Sequence, residues 1–400
     1  MAIDVARARA ETPGTRHVAH FNNAGAALPP QPVLEAVAEH QALEATIGGY
    51  EAAARNNAKL ENTYDAVAKL LACSREEVAL VENATVAWDM AFNALAVLPG
   101  GGFQPGDRIL TARAEYAANI VAFLQTARRT GAVVEVIPSD ETGQTSVAAL
   151  EAMIAEPGKG PVKLIAITHI PTNGGLVNPA AAIGRVARRH GIPYLLDACQ
   201  TVGQMPVDVE DLGCDFLSAT GRKFLRGPRG TGFLYVRKSW LDRIEPHTLD
   251  HSGAELVAPD RYEMRPDARR FELWESNIAA RIGLGVAVDY ALSWGLDAIR
   301  ERAFGLAETL RQRLAAIPGA TVRDLGVERC AIVTFTLDGK DPRAMKAALG
   351  GQGINVSVSG ASSTRFDMDA RGLTDVVRAS PHYYNSEEEV ERLVAAVRAL

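Results

Sequence analysis

Lys163-Leu-Ile-Ala-Ile-Thr168, a helical pattern from Ala180 to His190, then Pro193-Tyr-Leu-Leu-Asp197: this stretch decides the fold. Its two apolar runs are continuous rather than alternating, so both faces of each strand are covered. That is how a parallel sheet packed between helices reads. Upstream the alternation repeats, with Arg108-Ile-Leu-Thr111 and Val133-Val-Glu-Val-Ile137 as strands. Asn119 to Arg129 and Ser146 to Ala155 are the helical patterns between them. Right-handed crossovers bring the strand C-termini to one edge, where open α/β sheets bind ligands. The fold class is therefore α/β, a mostly parallel central sheet with helices on both faces.

Downstream the pattern changes. Pro246 to Arg270 is polar and poorly periodic, as in a long functional loop. A helical stretch follows from Ser276 to Ala315, then a strand-like run, Cys330-Ala-Ile-Val-Thr-Phe-Thr336. A helix around Pro342 to Leu349, a strand at Val376 to Ala379 and a closing helix from Ser386 complete the chain. Ser386-Glu-Glu-Glu389 has capping-box spacing. The expected organisation is an N-terminal segment, 1–20, packing on a small domain, a large domain, 21–275, and a connecting helix with a small C-terminal α+β domain, 276–400.

Composition narrows the function. A formal net charge of −6 argues against a nucleic-acid partner, because phosphate neutralisation needs clustered cations. Arg265, Arg269 and Arg270 form a local basic cluster, read as a solvated loop face. No apolar run is long enough for a transmembrane helix, and the N-terminus lacks the apolar core of a secretory signal. Cys73, Cys199, Cys214 and Cys330 have neither disulfide-frame nor zinc spacing, so no metal and a cytoplasmic location are expected.

Ser218-Ala-Thr-Gly-Arg-Lys-Phe-Leu-Arg-Gly-Pro-Arg-Gly-Thr-Gly232 sets a lysine among small and hydroxyl residues. Glycines let a backbone approach a ligand closely. A desolvated lysine, or one beside other cations, has a lowered pKa, and only the neutral amine attacks a carbonyl carbon. A flexible glycine-rich loop with an incidental lysine is the competing reading. Asp197, at a strand end, suits a protonated pyridine nitrogen, but also suits a helix N-cap. The interval between Asp197 and Lys223 holds one helix, a strand and a turn, which returns both residues to one sheet edge.

Asp197-Ala-Cys-Gln200 and Thr220-Gly-Arg-Lys223, followed by Gly227-Pro-Arg-Gly230, resemble the class V aminotransferase family of fold-type I pyridoxal 5'-phosphate (PLP) enzymes. The resemblance implies Asp197 on the pyridine nitrogen, Gln200 beside the ring hydroxyl, Thr220 and Arg222 near the phosphate, and Lys223 as the Schiff-base lysine. Glu115-Tyr-Ala-Ala-Asn119 is similar to the segment with a ring-stacking histidine, a place Tyr116 takes here. Asn173, in Thr168-His-Ile-Pro-Thr-Asn-Gly-Gly175, would lie near the cofactor's hydroxyl. Asn83-Ala84-Thr85 resembles the phosphate-binding turn at a helix start, with Ala84 offering only its backbone. Arg378 is similar to the arginine that grips the substrate α-carboxylate. A homodimer acting on a small amino-acid substrate is implied in the same way.

The family spans desulfurases, lyases, epimerases and aminotransferases, so the fold does not choose the reaction. Its desulfurases carry a nucleophilic cysteine on a loop before the C-terminal arginine. The matching stretch, Ser357-Val-Ser-Gly-Ala-Ser-Ser-Thr-Arg-Phe366, has none, and Cys330 reads as a small core residue. Ile47-Gly-Gly-Tyr50, Phe271-Glu-Leu-Trp-Glu-Ser-Asn277 and Ser380-Pro-His382 are similar to the isopenicillin N epimerase-like and hercynylcysteine sulfoxide lyase branch. A C–S lyase is therefore the expected activity, with an aminotransferase or epimerase as alternative and a cofactor-free scaffold as a distant third. Glu275 stands where the family has a threonine that contacts the partner subunit's phosphate, a contact repulsion denies an anion.

Overall fold

Seven strands form the central sheet of the computed structural model, which describes residues 2–98 and 101–400. They are β1 (Val78–Val81), β2 (Arg108–Ala112), β3 (Val133–Ile137), β4 (Val162–Thr168), β5 (Tyr194–Asp197), β6 (Phe216–Thr220) and β7 (Gly232–Val236). Their order is β1-β7-β6-β5-β4-β2-β3. β2 to β6 pair in parallel, and β7 runs antiparallel to both β6 and β1. The apolar runs are continuous because alternate residues feed two cores. Ile165, Leu196 and Leu217 join one, while Leu164, Leu195 and Phe216 join the other. Register then aligns the polar ends: Thr168 pairs with Asp197, and Asp197 with Ser218.

The C-terminal sheet is antiparallel, in the order Ala320–Val322, Val333–Leu337, Asp375–Ala379, Ser357–Gly360. The closing helix, Glu387–Arg398, has both arms of its capping box, as the Ser386 spacing predicts. Ala19–His20 pairs in parallel with Ile354–Asn355, tying the N-terminal chain to this part of the molecule.

Four expectations need correction. The stretch Pro246 to Arg270 holds a hairpin, Ala254–Ala258 with Arg261–Met264. Its apolar residues Leu256 and Tyr262 stay exposed, so no buried face imprints a period on the sequence. The expected single helix breaks at Gly295 (φ +82°) into Ile278–Trp294 and Leu296–Ala315, bent by 81°. No single helix among the described residues is long and apolar enough to cross a membrane. The strand starts at Val333 rather than Cys330, because Arg311 takes the carbonyls of Cys330 and Ile332, each at 2.7 Å.

Of the basic cluster only Arg265 lies on a solvated face. Arg269 forks onto Glu61 at 2.9 and 2.6 Å and lies over the Tyr64 ring, and Arg270 is buried on the Leu241 carbonyl.

Candidate active site

At the C-terminal edge of the parallel strands a cavity opens between β4, β5 and the turn after β6. Ala84, Thr85, Tyr116, Asn119, Thr168, Ile170, Thr172, Asp197, Cys199, Gln200 and Lys223 line it. Two glycines let these segments meet. A Cβ on Gly203 would lie 2.4 Å from the Leu225 nitrogen, so only glycine lets the turn after Asp197 pack on the turn after Lys223. A Cβ on Gly232 would sit 2.9 Å from the Asn83 carbonyl carbon, which brings β7 against the start of helix α1 (Ala84–Ala96).

Asn83 caps α1, its side chain accepting from Val86 N at 3.0 Å. The free N–H groups and dipole of that helix start face the cavity beside Ala84 and Thr85, a natural seat for an anion. Asp197 does not cap a helix. Its Oδ1 accepts from Cys199 N at 2.8 Å and its Oδ2 from Asn119 Nδ2 at 3.1 Å. Gln200 donates to the Ala24 carbonyl at 3.1 Å, while its Oε1 is buried without a partner. Tyr116 opens helix α2 (Ala117–Thr130) and is partly exposed over the cavity.

Burial lowers the Lys223 ammonium below its ordinary value, and Arg222 and Arg378 push the same way against Cys199 and Asp197. A neutral amine is what attack on a carbonyl carbon requires.

Six of the residues expected from sequence thus come together: Ala84, Thr85, Tyr116, Asp197, Gln200 and Lys223. Four others do not line the cavity. Asn173 turns away, its Nδ2 donating to Gly360 O at 3.0 Å, and Thr172 holds the cavity position instead. Thr220 commits its hydroxyl hydrogen to the Thr231 carbonyl at 3.2 Å. Arg222 reaches the carbonyl of Gly25. Arg378 stands behind Thr172, donating to its carbonyl and hydroxyl at 3.0 and 2.7 Å and to Asn22 Oδ1 at 3.3 Å.

Burial, then the nearby Arg222, lowers Arg378 to about 10, and its Nε has no partner. Trp274 and Glu275 are exposed and outside the lining, Trp274 stacking near His251 at 4.7 Å.

Sequence reasoning missed Asn119, Thr168, Thr172 and Cys199. A signal existed for two of them: Thr168 ends a strand beside Asp197, and Asn119 follows Glu115 by one helical turn.

The donor set suits PLP. A carboxylate with a free acceptor direction, a buried orphan amide oxygen, a helix start and a desolvated lysine surround one space. Among the described residues no cluster suits a metal ion.

The aminotransferase class-V family model matches residues 19–393. A cysteine desulfurase of Synechococcus elongatus is 32% identical over 393 residues, which is 96% of this chain but 61% of that protein's length. An apo cysteine desulfurase of Thermococcus onnurineus superposes with a TM-score of 0.91 at 28% identity, over 100% of this chain and 98% of its own. C-DES, solved with glycine covalently linked to its PLP cofactor, shares the fold with a TM-score of 0.86 at 24% identity, over 98% of both chains. The chain belongs to the class-V aminotransferase family, and with its cysteine desulfurase relatives this makes it a PLP-dependent enzyme.

Proposed function

We propose that this enzyme cleaves the Cβ–S bond of a cysteine-derived amino acid by β-elimination, without a persulfide on the protein. The carrying observation is the segment that matches the cysteine-bearing loop of the family's desulfurases. Ser357–Gly360 is tied to the turn after β4 through Asn173, and the turn after it, Ala361–Ser363, carries hydroxyls and no thiol. Serine cannot take up sulfane sulfur. The names of the desulfurase relatives support the substrate class, an amino acid with sulfur on Cβ.

In this reading PLP, when bound, supplies the electron sink that stabilises negative charge at the substrate α-carbon. Asp197 would hold its ring nitrogen, Gln200 its ring hydroxyl, and Ala84 and Thr85 with the start of α1 its phosphate. Tyr116 would offer its ring to the cofactor. Arg378 binds the substrate carboxylate, and Lys223 Nζ takes the α-proton and returns it to the departing sulfur. The active form is a homodimer, a reading supported by the exposed Leu256, Tyr262 and Trp274 on neighbouring segments.

One observation favours a second reading, a true desulfurase. Cys199 lines the cavity. Burial, with Asp197 beside it, pushes its thiol far above the ordinary range, which makes it a poor nucleophile.

Product analysis decides. Incubated with L-cysteine or a cysteine S-conjugate and no keto acid, the lyase releases pyruvate and ammonia, with hydrogen sulfide from the former and a thiol from the latter. A desulfurase releases alanine and leaves a persulfide detectable by mass on Cys199. Alanine as the dominant product overturns the proposal, as does a single half-turnover, which marks an aminotransferase, or α-proton exchange without cleavage, which marks an epimerase.

A further inference from the structure

Beneath Asp197 lies a second buried carboxylate that the chemistry above does not use. Glu115 is 1% exposed, at the loop between β2 and α2. Five donors converge on it. Oε1 accepts from Tyr116 N at 2.9 Å, from Asn119 Nδ2 at 2.7 Å and from the Thr168 hydroxyl. Oε2 accepts from Thr168 N at 2.7 Å and from Thr111 Oγ1 at 3.2 Å. Glu115 thereby ties the ends of β2 and β4 to the first turn of α2.

Asn119 is the shared element. Its Nδ2 donates to Glu115 Oε1 at 2.7 Å and to Asp197 Oδ2 at 3.1 Å, so both amide hydrogens are committed, one to each carboxylate. A flipped amide would put its carbonyl oxygen between two acids, so the orientation is fixed by chemistry. A buried carboxylate is costly unless its donors hold it. Burial pushes the Glu115 carboxyl up to about 7, against the hydrogen bonds from Thr168 and Asn119.

We propose that Glu115 is a positioning residue which, through Asn119, aims the Asp197 carboxylate at the ring nitrogen of PLP. Oδ1 of Asp197 is fixed by the backbone of Cys199, and Oδ2 by Asn119. With both oxygens held, the carboxylate keeps one orientation and one acceptor direction toward the cavity. Without Glu115 the Asn119 amide loses its anchor, and Asp197 gains a rotational freedom that binding must remove.

The inference rests on PLP dependence and on the proposed placement of Asp197 at the ring nitrogen, not on which substrate bond breaks, and its test uses no substrate. Full-length apoenzyme is titrated with PLP and, separately, with the 1-deaza analogue, whose ring carries C–H in place of the nitrogen. Affinity, the visible absorbance band and the thermal midpoint are recorded for wild type, Glu115→Gln, Asn119→Ala and the double variant. We expect each single variant to bind PLP about tenfold more weakly, as when the outer partner of a first-contact ligand is removed. Deaza affinity should stay within about twofold of wild type, and the double variant should be no worse than the weaker single, because both lie on one path.

Equal losses for PLP and the analogue would show a merely structural role and overturn the proposal. So would unchanged PLP affinity in Asn119→Ala, or losses that multiply in the double variant. Should Glu115→Gln fail to fold, Asn119→Ala with the two cofactors still decides, because Glu115 then keeps four of its donors.

Discussion

The guanidinium of Arg226 meets the hydroxyl of Tyr383 at 2.6 Å across 157 positions of sequence. The same group donates to Leu28 O at 2.8 Å and Thr12 Oγ1 at 2.5 Å and lies 4.4 Å over the Tyr384 ring. Arg226 is 1% exposed and holds a left-handed backbone, φ +62°, three residues after Lys223. That conformation costs a non-glycine residue about 1–2 kcal/mol. The strain persists because the N-terminal chain, the lysine turn and the C-terminal strand end all close on one cation.

Arg226→Met removes the donor from three buried acceptors, each worth about 1 kcal/mol or more when left unmet. Urea unfolding should show a loss of about 3 kcal/mol, and Tyr383→Phe a smaller one of about 1–2 kcal/mol. A Met variant as stable as wild type would show that the Arg226 contacts do not hold these segments together.

Gly203 offers a sharper test of how the two site turns meet. It combines φ +87° with backbone atoms 2.4 Å from any added Cβ, whereas Gly191, at φ +61°, faces open space. Gly191→Ala should cost about 1 kcal/mol. Gly203→Ala should cost at least about 2 kcal/mol more and weaken PLP uptake, because the Lys223 turn must shift. Equal costs, read from thermal midpoints and PLP titration, would mean the contact is relieved elsewhere.

Most of the sheet was legible because burial on both faces leaves an unbroken apolar run, as in Leu164 to Ile167 and Leu195 to Leu196. Asp197 and Lys223 were legible because the crossover rule returns both to one edge. Asn173 does not line the cavity, and Thr172 does. Both lie in the turn after β4, where no period of strand or helix fixes which side chain points inward. The hairpin at Ala254–Met264 was hidden for the opposite reason, having almost no buried face to leave a period. Glu115 read as part of a motif, but nothing local shows that its partners come from β2 and β4.

His382 makes stability depend on pH. Its Nδ1 accepts from Tyr383 N at 2.9 Å, so the ring proton sits on Nε2, 2.8 Å from the Phe224 carbonyl. Burial, then Arg226, lowers the imidazole to about 3. The folded form stays neutral while the unfolded chain takes a proton below about 6.5, so the contribution is complete above 6.5 and lost as pH falls toward 3. The whole effect is on the order of 4 kcal/mol. Urea midpoints of wild type should fall more steeply between pH 6.5 and 4 than those of His382→Gln. Parallel curves would show that other groups carry the acid sensitivity.

Arg378 separates substrate binding from cofactor binding. No carboxylate among the described residues acts on it, and its buried cation already repels Arg222. Its partners, Thr172 and Asn22, are neutral, and Nε is unmet. A buried guanidinium with neutral partners and an unmet Nε is suited to an anion that arrives. Lysine keeps the charge but has no planar fork, so Arg378→Lys should lower kcat/KM about 30- to 100-fold, mainly through KM. The visible absorbance of bound PLP should remain at wild-type intensity, whereas Lys223→Ala should abolish it. An unchanged KM in Arg378→Lys would move the carboxylate site elsewhere, and a parallel loss of PLP would place Arg378 in cofactor binding instead.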